Sequence, residues 1–299
     1  MDIHSGTSLK LLYRVHPNQY QEGLLTVVIA LCSYFTIHNY PATAKFLTEP
    51  ERAFIHARLK GDNDATNTEP FTWHNALSAL KDPKCWLYGL AFHTLSLPLY
   101  TLSLFLPTII AALGYTAAQA QLLTVPPYAI ATCLTVLTAI LSEKTRRRAP
   151  FILLSAAVAI IGYIILFTAP TDAPGASYVG TIFAAAGIYP ATAIVLAWPA
   201  NNVSGQTKRA TANALQISVG NLGAVLGTQL YRPNTSPRFY LGHGFAIGYL
   251  LGNILVVSTL WLVLRRENQR RDRLVAEDGG LGGDGQILGD EDMRWRFQT

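Results

Sequence analysis

The sequence predicts an all-α polytopic membrane protein, and three observations carry that prediction. Half of the 299 residues are hydrophobic and only 14% are charged, against about 25% charged in an average soluble domain. The charges are also segregated: Asp, Glu, Lys and Arg are missing throughout 86–142, 149–171, 173–206, 210–231 and 239–264. The main Lys and Arg clusters then fall in alternate gaps between apolar segments. One helical crossing of the hydrocarbon layer takes roughly 20 apolar residues. A soluble helical protein with a large core would not arrange six such stretches in succession.

The elements follow in chain order. Residues 1–22 are polar and precede no small-residue cleavage site, so they form an atypical N-terminal segment rather than a secretory signal. Residues 23–39 hold a short, strongly apolar run, Leu24–Ile37, predicted as a first span. Residues 40–85 are the one sizeable soluble stretch in mid-chain. There Thr48 and Glu51 have the spacing of a capping box opening a helix through FIHARLK, followed by a polar linker, GDNDATNTEP. Residues 86–265 are predicted as a six-helix transmembrane bundle with spans Tyr88–Leu113, Gln119–Leu141, Pro150–Thr168, Tyr178–Ala200, Ala212–Tyr231 and Leu241–Leu264. Residues 266–299 form the tail, rich in Gly and Asp from Ala276 onward and expected to be disordered.

Orientation follows from the cations. Lys144 and Arg146, Arg147 and Arg148, then Lys208 and Arg209, then RRENQRRDR mark alternate connections, which the positive-inside rule places in the cytosol together with the tail. The connections near Gly114 and Asp172 lack Lys and Arg and are expected outside.

Several function classes drop out. Cys32, Cys85 and Cys133 are odd in number and imply no disulfide framework. There is no phosphate-cradling glycine loop, no metal-ligand spacing and no nucleophile elbow, so no cofactor, no metal, no catalytic residue and no enzyme are predicted. The basic clusters adjoin spans, which suits contact with membrane lipid and not nucleic acid.

Three spans carry polar stripes at helical spacing. One runs through His93, Ser96, Tyr100, Ser103 and Pro107, and a second through Gln121, Thr124, Tyr128, Thr132 and Thr135. The third runs through Asn213, Gln216, Gly220, Gly223, Ala224 and Gly227. A stripe of this kind either packs helix on helix or lines a path for solute, and both readings stay open here. His93 is the one ionisable side chain deep in its uncharged block, and is either a candidate for proton coupling or a neutral ring hydrogen-bonded to a neighbouring helix. Prolines interrupt the same spans: Pro98, Pro107, Pro126, Pro127, Pro190 and Pro199. Such breaks are tolerated where neighbours or water satisfy the freed carbonyls, and Pro98, Pro190 and Pro199 are the candidate hinges.

At this point the residues resemble a family. EGLLTVVIALCSYFTIHNYPATAKFLTEPERAFIHARL resembles the sixth helix and central loop of fungal permeases of the major facilitator superfamily, in the anion:cation symporter group with allantoate and nicotinate permeases. IYPATAIVLAWPANNVSGQTKRATANALQISVGNLGAVLGTQLY resembles that group's tenth and eleventh helices, LSEKTRRRAPF its loop between the eighth and ninth, and DEDMRWRF its C-terminal signature. The resemblance implies the C-terminal six-helix half of such a transporter plus one preceding helix. It implies proton-coupled movement of a small organic anion, with the plasma membrane as the expected location. By helix placement it puts substrate contacts at Tyr100, Tyr128, Tyr189, Asn213, Gln216 and Asn221, and assigns Arg146, Arg147 and Arg148 to orientation and gating. Family members have twelve spans, so an N-terminal half would have to come from a longer form, or the site be completed in a homodimer. The alternatives are a truncated, non-transporting fragment, or a sensor or scaffold built on a transporter relic.

Overall fold

A computed structural model describes residues 17–37, 44, 46–61, 71–170, 173–231, 236, 238–277 and 290–299. The atypical N-terminal segment up to residue 16, the polar linker at 62–70, the Asp172 connection and the Gly-rich part of the tail lie outside these residues. Helix is the only regular secondary structure among the described residues, and the chain divides into two units, 1–62 and 63–299.

The first unit contains α1 (Pro17–Thr36) and α2 (Glu49–Gly61). The apolar part of α1, Gly23–Thr36, is shorter than a full crossing. Helix α2 starts where the Thr48 and Glu51 spacing placed it. Glu51 accepts from the Thr48 backbone N–H at 2.9 Å and from its hydroxyl at 2.7 Å, so the carboxylate half of the capping box forms. These two donors, the backbone one foremost, hold the Glu51 carboxyl below its ordinary pKa.

The second unit contains α3 (Trp73–Lys81), α4 (Pro83–Ala112), α5 (Ala117–Leu122), α6 (Val125–Thr145), α7 (Ala149–Thr168), α8 (Pro174–Asn202), α9 (Gln206–Gly227) and α10 (Tyr240–Glu277). Five stretches among the described residues are long and apolar enough to cross a membrane: α4, α5 with α6, α7, α8 and α10. The sixth expected span, Ala212–Tyr231, falls on α9 and differs from the other five in two respects. It is helical only to Gly227, and α9 as a whole, opening with Lys208 and Arg209 and carrying Asn213, Gln216 and Asn221, is too polar to be grouped with the five. The expected span Gln119–Leu141 also breaks, between α5 and α6. Pro126 sits in the first turn of α6, where a helix has no use for the missing N–H, so Pro126 and Pro127 start a helix rather than interrupt one.

Small residues set how closely the helices approach. A Cβ on Gly187 would overlap the Ser155 carbonyl and the Ala159 backbone, which brings α8 onto α7. On α9, Gly220 faces the Phe92 ring and Gly223 the His93 carbonyl of α4. The glycine half of the third stripe is therefore a packing surface, as expected where apolar solvent offers no hydrophobic drive and close contact must supply the attraction.

Candidate functional site

The structure joins four of the six expected contact residues across four helices. The Tyr100 hydroxyl on α4 donates to Asn221 Oδ1 on α9 at 3.2 Å. One turn along α4, the Ser103 hydroxyl lies 2.8 Å from that of Tyr189 on α8. The Tyr189 ring in turn meets Tyr128 of α6 edge to face, with centroids 5.6 Å apart. Tyr100 and Asn221 are exposed and Tyr128 and Tyr189 half-buried, so the patch is an open surface of hydroxyl and amide groups. One turn nearer the start of α4 lies Ser96, and one turn nearer the end of α8 lies Thr192. Both hydroxyls are buried and have no hydrogen-bond partner among the described residues, as does Oδ1 of Asn213. Unpaired polar atoms at this depth are free to bind something that the protein does not itself supply. Thr192 could have been suspected from its place one turn beyond Tyr189.

Gln216 stands apart from this group. It is buried, and its side-chain amide donates to the Val195 carbonyl of α8 at 2.8 Å. That carbonyl is the one left without an intrahelical donor by Pro199, four residues on. The expected contact residue is therefore a brace for a proline break. The second stripe resolves in a similar way: Thr124, Thr132 and Thr135 bond to carbonyls within the preceding turn, and Tyr128 is the member that reaches another helix.

His93 also turns toward α9. Its Nδ1 lies 3.0 Å from the Val219 carbonyl, an acceptor, so Nδ1 carries the proton and Nε2 is the atom able to take up another. The ring lies beside Tyr249 of α10. Around Pro98, which α4 accommodates without a break, Asn253 of α10 donates to the Ala91 carbonyl at 2.9 Å and to Thr94 Oγ1 at 3.0 Å, and the Tyr163 hydroxyl to the Pro98 carbonyl at 3.3 Å. Asn253 was not singled out from sequence. A lone amide in the span Leu241–Leu264 is the signal that could have found it, because an unpaired amide there is costly.

The cationic gaps meet at one end of the bundle, as alternate connections must. The tail is the correction here. Residues 266–277 continue α10 as helix, and residues 290–299 fold back as a strap over that end. Arg148, expected to serve orientation and gating with Arg146 and Arg147, is buried. It donates to Ser142 Oγ at 2.7 Å and Gln298 Oε1 at 3.1 Å and pairs with Glu143. Arg146 and Arg147 remain exposed, Arg146 in a left-handed C-cap with φ 52°. Lys208 is buried against Asp290 at 2.7 Å. Arg271 donates to the backbone carbonyls of Asp290 and Asp292 at 3.0 Å each and to Glu267 at 2.9 Å. Among the described residues no group of His, Cys, Asp and Glu could hold a metal ion.

Comparison with known proteins bears on this arrangement. The sequence profile of the Major Facilitator Superfamily matches residues 20–228. The chain is 36% identical over 269 residues to the MFS-type transporter cnsO of Penicillium expansum, covering 86% of this chain and 52% of the relative. It is 32% identical to an uncharacterized transporter of Schizosaccharomyces pombe, covering 85% and 52%. It is 28% identical to the high-affinity nicotinic acid transporter of Saccharomyces cerevisiae, covering 79% and 44%. The chain thus spans about half the length of the curated relatives it matches.

Proposed function

The chain belongs to the Major Facilitator Superfamily, and on that premise we propose that it forms one half of a proton-coupled permease for a small organic carboxylate. As an integral membrane protein it meets lipid along its apolar helices, and the plasma membrane is the location we propose. The observation that carries the reading is the patch of Tyr100, Ser103, Tyr128, Tyr189 and Asn221, fed by α4, α6, α8 and α9. Hydroxyl and amide donors converging from four helices suit a carboxylate, which takes hydrogen bonds on two oxygens. The unpaired oxygen of Asn213 is an acceptor and suits a donor group elsewhere on the solute rather than its carboxylate. The expected spans hold no Lys or Arg, so in this reading the cation comes from an N-terminal half of different sequence, because a second copy of this chain would bring the same uncharged spans. The name of the yeast nicotinic acid transporter makes nicotinate the first substrate to try, with allantoate next. In this reading His93 takes up the coupled proton at Nε2, and Pro98, Pro190 and Pro199 supply the bending that alternating access requires.

The test is uptake. Yeast cells without their own nicotinate uptake would express this chain alone, and together with the first six helices of a full-length relative. Concentrative, pH-dependent uptake of labelled nicotinate or allantoate is expected with both halves present. Failure of every carboxylate tested, with both halves shown to be inserted, would overturn the reading in favour of a non-transporting role.

A further inference from the structure

Within the second unit the strap, Asp290–Thr299, bonds or packs against five helices at the cationic end, α4, α7, α8, α9 and α10. On α4, the Lys84 ammonium stands 4.4 Å from the centre of the Phe297 ring. At the start of α7, the Arg148 backbone N–H donates to the Thr299 carbonyl. On α9 it meets Lys208, and on α10 Asn268 exchanges two hydrogen bonds with the backbone of Phe297, both 2.9 Å. Its contacts with α8 are of a different kind, because they close around a proline. Trp198 Nε1 donates to the Gln298 carbonyl at 2.8 Å, Asn202 Nδ2 donates to the same carbonyl at 2.9 Å, and the Gln298 N–H donates to Asn202 Oδ1 at 2.7 Å. Pro199 lies between Trp198 and Asn202.

Proline removes one rung from the helix and leaves the turn beyond it less firmly tied to the turn before. Pro190 does the same further back. The last turns of α8 are therefore held in place largely from outside: by Gln216 at the Val195 carbonyl, by the strap at Trp198 and Asn202, and by the Tyr88 hydroxyl, which accepts from Asn202 at 2.7 Å. Beneath them, Val203 packs with Ala79, Cys85 and Ala212 in a small buried cluster of its own.

We infer that the strap is a lock on the proline-softened end of α8. Docked, it holds Asn202 over Tyr88 and keeps the cluster around Cys85 closed. Undocked, it lets the end of α8 swing at Pro199 and opens that cluster to water. Docking and bending are then two sides of one equilibrium, so a change that weakens either shifts both. The link to transport rests on the permease reading; the coupling itself does not.

Cys85 is the reporter, being fully buried in that cluster. In the 299-residue chain with Cys32→Ser and Cys133→Ser, Cys85 would be exposed to a water-soluble maleimide in detergent micelles. Slow labelling is expected with the strap intact, rising about tenfold or more in Trp295→Ala and less in Asp290→Asn, as expected for a local opening made easier. A parallel chain with Cys85→Ser and Leu106→Cys places the thiol at the far end of the same helix, where Leu106 is fully buried. It should stay protected in both strap variants. Unchanged Cys85 labelling in both variants would overturn the proposal. Equal increases at both positions would overturn it as well, since the strap would then merely hold the whole fold together. The readout is labelling, so a chain that moves no carboxylate leaves this test intact, and failure here leaves the permease reading standing.

Discussion

The strapped cationic end and the tyrosine patch both gather polar side chains from four or more helices, yet they use them in opposite ways. At the strapped end Arg148, Lys208 and Arg271 are buried, and each meets a carboxylate or carbonyl of this chain. In the patch the same helices present hydroxyls and amides that are exposed or half-buried, with Ser96 and Thr192 unpaired nearby. Burying a charge is costly unless it is paired, so the strapped end is built as a closed network. A surface meant to bind something from outside has to keep donors and acceptors in reserve. The contrast separates buried charges paired within the fold from hydroxyls and amides that are exposed or half-buried.

Lys208→Ala tests the contrast most severely, because it leaves Asp290 buried without a counter-charge. A loss of about 3 kcal/mol is expected, read as a lower thermal unfolding midpoint in detergent, whereas Lys208→Met with Asp290→Leu should recover most of it. A single variant as stable as the parent would mean that the strapped end is solvated after all. Next comes Gly187→Val, which pushes α8 off α7 and should destabilise by about 2 kcal/mol. A neutral result would show that the two helices can slide apart freely. Gln216→Ala frees the Val195 carbonyl again and should lose roughly 1 to 2 kcal/mol. That loss should appear in the unfolding midpoint whether or not substrate is present, which is what separates a brace from a binding residue. Smallest in stability are Tyr128→Phe and Tyr189→Phe, each expected to change it by less than about 0.5 kcal/mol. In a transport-competent pair of halves each should still cut carboxylate uptake about tenfold, the worth of one hydrogen bond to a charged group. Intact uptake with lowered stability would erase the distinction between the two regions.

Much of the fold was legible because water-free solvent imposes a coarse rule. The uncharged blocks fall on helices, five of them long and apolar enough to cross a membrane, and the cation gaps predicted that Arg148, Lys208 and Arg271 would meet at one end. The misses are instructive. Pro126 and Pro127 were counted as interruptions, since a proline looks the same in a helix interior as in its first turn. The composition of the tail hid the strap: glycine and aspartate dominate it, but Trp295 and Phe297, both buried, were the anchors to notice. Residues 266–277 carry Glu267 and Arg271 at i, i+4, a helix-supporting pair that was read only as a charge run. In the site, Tyr100, Tyr128, Tyr189 and Asn221 were put forward by helix placement in the family resemblance, and only Tyr100 and Tyr128 also by periodicity, which says which face of a helix is polar. It does not say which neighbour that face meets, and so Gln216 and Tyr128 looked equivalent.

Motifs placed the chain with the facilitator family, whereas the hydropathy of the sequence by itself determined that it is a helical membrane protein and which residues are too polar to face lipid. Those last two properties follow from the energy of placing each residue in hydrocarbon, a sum over single residues that needs no knowledge of partners. Only the tertiary structure decided that Gln216 caps a carbonyl freed by a proline, that Arg148 is buried under the strap, and that the glycines of α9 admit α4. Each of those is a property of a pair brought together from distant parts of the chain, and a hydrogen bond between such a pair leaves no periodic mark on either strand of sequence that makes it.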